Sequence, residues 1–315
     1  MGITTTTTLP SPVQQSFSYK LLSVPTPYFI HMIPAMLKTM PKNGGNTIRF
    51  RRYNPLATAP VPLGNTGVTP PPQNVTAINL DARMDFYGTY VLLNEQLTLQ
   101  NQDPVLNEVT IRLGVALRQT EDQLMRDMLA ATSAFVNCTN GVNGDNPTEI
   151  TRADIDGIVR RLKTNNAYSF LTGIGGENKF GSAPVRDAYF ALGDTSLIGQ
   201  VDNCQGFINK WNYANQQSTL ESEWGSVGNL RFLLSSVGSV TPNASLLGQN
   251  VYNVFCCGRE SFASVAQDGY SAKFLYRPPI YDGPLSLNVS VGWTAAMIPR
   301  LLNDVWCFNL RCSLA

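Results

Sequence analysis

Residues 103–133 read DPVLNEVTIRLGVALRQTEDQLMRDMLAATS. Asp103 is a favoured N-cap, because its carboxylate accepts from a free helix N–H. Pro104 at the first helical position gives up only an N–H that has no partner there. No further proline occurs until Pro147. Apolar or small residues recur at Leu106, Val109, Leu113, Leu117, Leu124, Met128 and Ala131, with Thr120 in the gap. Those steps of three and four mark one helix face. Glu108, Arg112, Arg118, Glu121, Arg126 and Asp127 fall between them as a solvated face. About 29 residues at about 1.5 Å each span roughly 43 Å, far beyond the mean helix of about 11–12 residues. A helix of that length either lies across a sheet or forms the spine of an assembling subunit.

The segment in front of it weighs on that choice. Residues 1–80 hold Lys20, Lys38, Lys42, Arg49, Arg51 and Arg52 and not one Asp or Glu, a charge of +6, while the remaining 17 basic and 22 acidic residues give −5. Twelve of the 20 prolines also lie in this span. Proline breaks helices and central strands, so the region is not expected to build a compact core of its own. Residues 1–27 read as an extended arm. Tyr28 to Met40 has some helical spacing, interrupted at Pro34 and closed by Pro41. Asn46 to Tyr53 reads as a strand with Ile48, Phe50 and Arg52 on one face and Arg49, Arg51 and Tyr53 on the other. A proline- and glycine-rich excursion follows. A second strand, Val75 to Leu93, is expected to bend or bulge near Gly88.

Two strands joined by an irregular tip make a projecting hairpin, which is marginal in water unless it lies on another surface. A basic arm and a basic hairpin need an acidic, partly apolar platform, and the rest of the same chain has that sign. Lys42, Arg49, Arg51, Arg52 and Tyr53 are therefore the candidate contacts to a neighbouring copy, with the arginines pairing to its carboxylates. Two other readings stay open here. The Arg49–Tyr53 cluster interleaves cations and aromatics as a single-strand nucleic-acid groove would, or the hairpin folds back on its own domain.

Residues 134–315 read as a mixed α/β body. Thr151 and Asp154 make a capping-box start to a helix reaching about Asn165, with Ile155, Ile158, Val159 and Leu162 on one face. Strands are expected at Asp187–Leu192, ending in a turn at Gly193-Asp194, and at Leu230–Val237, following a turn at Gly225–Gly228. Further strands are expected at Val251–Cys257, Leu285–Trp293 and Val305–Ser313. Short helical segments are expected near Ser196–Val201, at Glu260–Gln267 and at Ala295–Leu302. Hydrophobic content of 43% supports a substantial core, and charged residues are only 14%, below the typical ~25%.

Chemistry is sparse. The one histidine, His31, lies in the proline-rich region, where no core is expected to hold it, so a Ser-His-Asp or Cys-His system is not indicated. No HExxH, GxSxG or P-loop pattern occurs, and GIGGENKFG at 173–181 lacks the dinucleotide order. Asp154 and Asp156 do not share a helix face and read as solvated surface; Asp202, Glu221 and Glu223 are equally unsupported as acid/base pairs. The six cysteines show no zinc spacing and read as reduced, mostly buried thiols. Cys256 and Cys257 are adjacent in a strand, so they point to opposite faces. No catalytic residue, cofactor or metal ligand is assigned. The N-terminus lacks the features of a signal peptide, and no apolar run reaches the ~18–20 residues of a membrane span.

Four stretches, in order, resemble the major capsid protein of tailed bacteriophages. GNTIRFRRYNPL (45–56) resembles the rising strand of that family's extended loop, and LGNTGVTPPP (63–72) its loop tip, with Thr66 where glutamate is usual. EWGSVGNLRFLLSSV (223–237) resembles its axial-domain turn and strand. VYNVFCCGRESFASV (251–265) followed by GPLSLNVSVGWTAAM (283–297) resembles its closing strands, with Thr294 where lysine often follows the tryptophan. The resemblance implies an α+β fold with an N-terminal arm (1–45), an extended β-hairpin loop (46–93), a peripheral domain (94–150) holding the spine helix 104–133, and a mainly axial domain (151–315) whose last strands return to the peripheral one. It implies a subunit that self-assembles as hexamers and pentamers into an icosahedral shell around double-stranded DNA, assembled in the host cytoplasm. A separate scaffolding protein, a portal and a decoration protein are the implied partners. No membrane is implied, and the DNA is met only by non-specific proximity.

Overall fold

The computed structural model describes residues 25–56, 58, 72–94, 96, 105–131, 134–170, 187–213, 219–278 and 287–314. The arm before residue 25, the loop tip at 63–71, the glycine-rich stretch 173–181 and the predicted helix start at Asp103-Pro104 lie outside the described residues.

Two sheets share one long helix. Sheet A is built on β14 (Asn288–Leu301), the longest strand. One edge of β14 pairs with β4 (Asp85–Asn94). Its other edge pairs with β13 (Lys273–Arg277) and then β12 (Phe262–Gln267). β1 (Met36–Met40) adds in parallel outside β12. Sheet C runs β5-β15-β11-β6-β9-β8-β7, with β10 (Ser239–Thr241) also on β11. Its strands are β5 (Phe135–Asn137), β6 (Tyr189–Asp194), β7 (Phe207–Asn209), β8 (Glu223–Val227), β9 (Leu230–Ser235), β11 (Val251–Cys257) and β15 (Cys307–Ser313). Every residue of β11 is buried, as a central strand covered on both faces requires.

Helix α1 (Val105–Ala130) is the element that residues 103–133 predict. Its first half lays Leu113 and Leu117 on Val289, Val291 and Trp293 of sheet A. Its second half lays Met125 and Leu129 against Phe190, Phe255 and Phe262. The helix therefore crosses from one sheet to the other. That is why its buried face differs from the single stripe read in sequence: Met125, Leu129 and Asp122 are fully buried, while Leu124 and Met128 are only partly so. Glu121, expected in solvent, is half-buried, and desolvation raises its carboxyl above the usual range.

On the other face of sheet C sit α2 (Arg152–Thr164) and the short α3 (Ile198–Asn203). The capping box at Thr151 and Asp154 is formed, and Ile155, Ile158 and Leu162 are buried. Asp154 is not the solvated residue expected. Its second oxygen takes the backbone N–H groups of Thr139 (3.2 Å) and Gly141 (2.7 Å), so one carboxylate both caps α2 and shapes the preceding loop. Asp156 is exposed and paired with Arg152.

Several expectations for the body need correction. Residues 262–267 form a strand, not a helix, because Phe262 to Ala266 pair with β14 while Val265 packs in a core with Met40, Met84 and Ala296. Ala295–Leu302 is likewise not helical, and β14 runs on to Leu301. Pro299 is tolerated because β4 ends opposite Met297, leaving β14 paired on one side only. β6 continues through Gly193-Asp194, and the turn before β9 is only Gly228-Asn229, with Gly228 at φ +59°. Positive φ at the first turn residue is what a two-residue hairpin requires.

The largest correction concerns the N-terminal segment. Residues 31–34 form a turn and 36–40 a strand, not a helix. Ile30 and His31 are wholly buried. The Asp122 carboxylate of α1 accepts from the His31 backbone N–H (2.8 Å) and meets its Nδ1 at 2.7 Å. Proline content did exclude a self-contained core, but it did not stop this segment from completing the core of the body behind it.

All six cysteines are buried and free, with Cys256 and Cys257 on opposite faces of sheet C. Desolvation raises the Cys256 and Cys257 thiols and pushes Cys307 up to about 12. Native thiols should therefore resist alkylation at pH 8, and all six should react once the chain is unfolded in urea. Because the folded values lie above the unfolded one of about 8.5, the thiols' contribution to stability is intact below that pH and is lost as pH climbs towards the folded values. Urea midpoints at pH 8 and pH 10 should show the decline.

Candidate functional site

The hairpin of β2 (Thr47–Tyr53) and β3 (Ala77–Arg83) is a two-stranded sheet of seven registered pairs. Its inward residues Ile48 and Phe50 pack beside Met40, Met84, Val265 and Ala296, which anchors its base on sheet A. The long second strand expected over 75–93 is two strands that part at Met84: β3 goes to the hairpin and β4 to sheet A. No bulge is needed at Gly88. There a side chain would meet the Trp293 carbonyl at 2.8 Å, a close approach between paired strands.

The candidate contact residues separate as alternation dictates. Arg49, Arg51 and Tyr53 share the outward face, and Arg52 lies on the other. Arg49 faces Asp81 in register, and Nε and Nη2 donate to its two oxygens at 2.7 and 2.9 Å. These hydrogen bonds hold the Asp81 carboxyl below the usual range and raise the guanidinium of Arg49. Arg51 donates from Nε to Asn79 (3.0 Å). Tyr53 and Arg52 are exposed. Lys42 stands apart, its stem lying over Gly269 at the β12–β13 turn. Within one chain, then, the first acidic residue after 80 uncompensated positions is spent on Arg49, a partner the cross-strand register supplies and the sequence alone does not.

Charge is divided between the two sheets. Among the described residues, sheet A with its N-terminal strand and hairpin carries nine Lys/Arg against three Asp/Glu, whereas sheet C and its helices carry eight against eleven. One buried pair in sheet C, Glu223 with Arg231, is bidentate at 2.7 and 2.5 Å and also accepts from Tyr213. Glu223 is thus structural.

Beyond the hairpin base, the open face of sheet A forms a trough of about 490 Å³. Its floor is Ser290, Gly292 and Thr294, and its walls are Tyr90 and Leu92 on one side and Leu275 and Arg277 on the other. None of its lining residues among those described is a carboxylate. Sequence reading missed this surface because its walls come from strands nearly 200 positions apart. The available signal was β4 itself, whose apolar residues Phe86, Tyr90 and Leu92 alternate with Tyr87 and Leu93, which pack in the cluster under α1. A strand apolar on both faces implies a cover on both. No cluster of metal-ligating side chains occurs among the described residues.

Two sheets, a crossing spine helix, a two-stranded hairpin and an N-terminal edge strand make up a fold that solved phage capsids have. Solved capsids share it along the whole chain. The capsid of Ralstonia phage GP4 superposes with a TM-score of 0.70 at 13% identity, covering 96% of each chain. The head structure of Helicobacter pylori bacteriophage KHP40 gives 0.67 at 10% identity, covering 100% of this chain and 98% of that one. The capsid of cyanophage P-SCSP1u gives 0.66 at 13% identity, covering 96% and 94%. No family model and no curated protein matches the sequence.

Proposed function

We propose that this chain is the major capsid protein of a tailed bacteriophage, a subunit that self-assembles through hexamers and pentamers into the icosahedral shell around packaged double-stranded DNA. The observation that carries this reading is coverage: phage capsid structures match this chain end to end, not over one shared sheet. The division of charge supports it. A basic hairpin on one copy and an acidic sheet C on the next attract, and a head-to-tail contact of that kind forms rings when the rotation between copies closes. On this reading sheet A with α1 is the peripheral domain, sheet C the axial domain, and residues 46–93 the extended loop, of which the β2–β3 hairpin projects and β4 returns into sheet A. A scaffolding protein and a portal complete the assembly in the host cytoplasm, with a decoration protein as a further outside partner. The nucleic-acid reading of Arg49–Tyr53 gains nothing, since Arg49 and Arg51 are engaged within the hairpin. The test is sedimentation with negative-stain microscopy of the full-length protein at micromolar concentration. Closed particles or capsomer rings are expected; a persistent monomer at both low and high salt would reject the proposal.

A further inference from the structure

An asparagine followed by glycine is prone to lose its side-chain amide, because glycine has no Cβ to shield its backbone nitrogen from the neighbouring carboxamide. The sequence has three such pairs, Asn43-Gly44, Asn140-Gly141 and Asn143-Gly144, and the fold treats them differently. The reaction needs a free glycine nitrogen and an asparagine side chain able to swing onto it. At 140–141 the Gly141 N–H donates to the buried Asp154 carboxylate at 2.7 Å, a charge-assisted bond. A side chain at Gly141 would meet the Ala153 Cβ at 3.0 Å, so this turn is also pressed onto α2. At 143–144 the Gly144 N–H donates to Thr139 Oγ1 (3.0 Å), and Asn143 Oδ1 accepts from the Asn137 N–H (2.9 Å). Asn137 Nδ2 also donates to the Gly144 carbonyl at 2.7 Å. Both glycine nitrogens are thus committed to side chains that the fold holds in place.

Asn43-Gly44 is not held in this way. Residues 41–47 are all exposed, and no described residue hydrogen-bonds the Asn43 side chain. The Gly44 N–H donates to the Pro41 carbonyl at 3.2 Å, an exposed turn bond that opens locally at little cost. Asn43 (φ +62°) and Gly45 (φ +85°) are both left-handed. This turn joins the end of β1 at Met40 to the start of β2 at Thr47.

We propose that Asn43 is a site of spontaneous deamidation in the folded subunit, and that the conversion weakens assembly. The Gly44 nitrogen attacks Asn43 Cγ and forms a five-membered imide. The side-chain nitrogen leaves as ammonia, carrying away the Gly44 amide proton. Water then opens the imide at either carbonyl and leaves aspartate or isoaspartate, so water is the one co-reactant. Either product puts a carboxylate beside Lys42, on the basic side of the molecule. Isoaspartate also routes the main chain through the side-chain methylene, in the link that sets how the hairpin leaves sheet A. The chemistry is independent of the shell reading, whereas its effect on assembly rests on that reading.

Peptide mapping with isoaspartate detection tests the site, on the full-length protein held folded at pH 9 and on the same chain unfolded in urea. In the folded chain, amide loss at 43–44 should run within threefold of its rate in urea. Loss at 140–141 and 143–144 should run at least tenfold slower than in urea. Asn43→Gly, which suits the left-handed turn, should remove most of the folded protein's isoaspartate. No loss at 43–44, or equally fast loss at the other two pairs, would overturn the site. Asn43→Asp should raise the protein concentration needed for assembly at least threefold; an unchanged concentration would overturn the effect on assembly. If the unsubstituted protein forms no particles, the shell reading falls and takes that effect with it, while the mapped deamidation stands.

Discussion

Changing Arg49, Arg51 and Arg52 together to alanine is expected to give a folded, soluble subunit that no longer closes into shells. The subunit should hardly notice. Arg49 and Asp81 are both more than 45% exposed, and exposed pairs contribute about 0–1 kcal/mol. The hairpin is anchored by Ile48 and Phe50, not by its arginines. Assembly is different, because the same small contact recurs in every copy and its loss accumulates around a ring. The concentration needed for particles should rise tenfold or more, and light scattering after dilution into low salt would measure it. Asp81→Ala is the informative companion. It releases Arg49 from its intrachain partner, so if the arginines serve a neighbour's carboxylates, assembly should persist or strengthen. Normal particles from the triple variant would remove these residues from the assembly contact.

Asp122→Ala should be the most damaging single change in the body. Asp122 is fully buried on α1 and holds His31 by both backbone and ring. Truncation leaves the His31 backbone N–H and its Nδ1 in the core without their partner, beside an Nε2 that has none among the described residues. Leaving a buried polar group unsatisfied costs about 1–3 kcal/mol, and here two lose their partner. Urea unfolding would read that loss. Limited proteolysis would show the N-terminal segment, residues 25–35, cut first, because it is what Asp122 fastens. A loss below about 1 kcal/mol would mean that Ile30 and its apolar neighbours hold the segment unaided.

Local patterns were readable where one element meets one environment. The α2 capping box, the doubly buried β11 and the alternation in β2 each depend on residues within a few positions of one another. The errors cluster where two environments act on one stretch. Ala295–Leu302 is rich in helix-compatible residues, yet it lies in β14 because β12 offers it a ladder. Pro34 and Pro41 bracket a segment that has no core of its own, and β12, more than 220 residues later, gives β1 a ladder to pair with.

The order of letters by itself determined the spine helix, the acid-free first 80 residues and the hairpin. These follow from spacing, composition and backbone chemistry along the chain. Only the tertiary structure decided that α1 serves two cores, that Asp81 is already taken by Arg49, that His31 is sealed against Asp122, and that sheet A keeps an open trough. Each of those depends on which distant strands become neighbours. Burial and pairing across hundreds of positions are settled by packing, which no local pattern encodes.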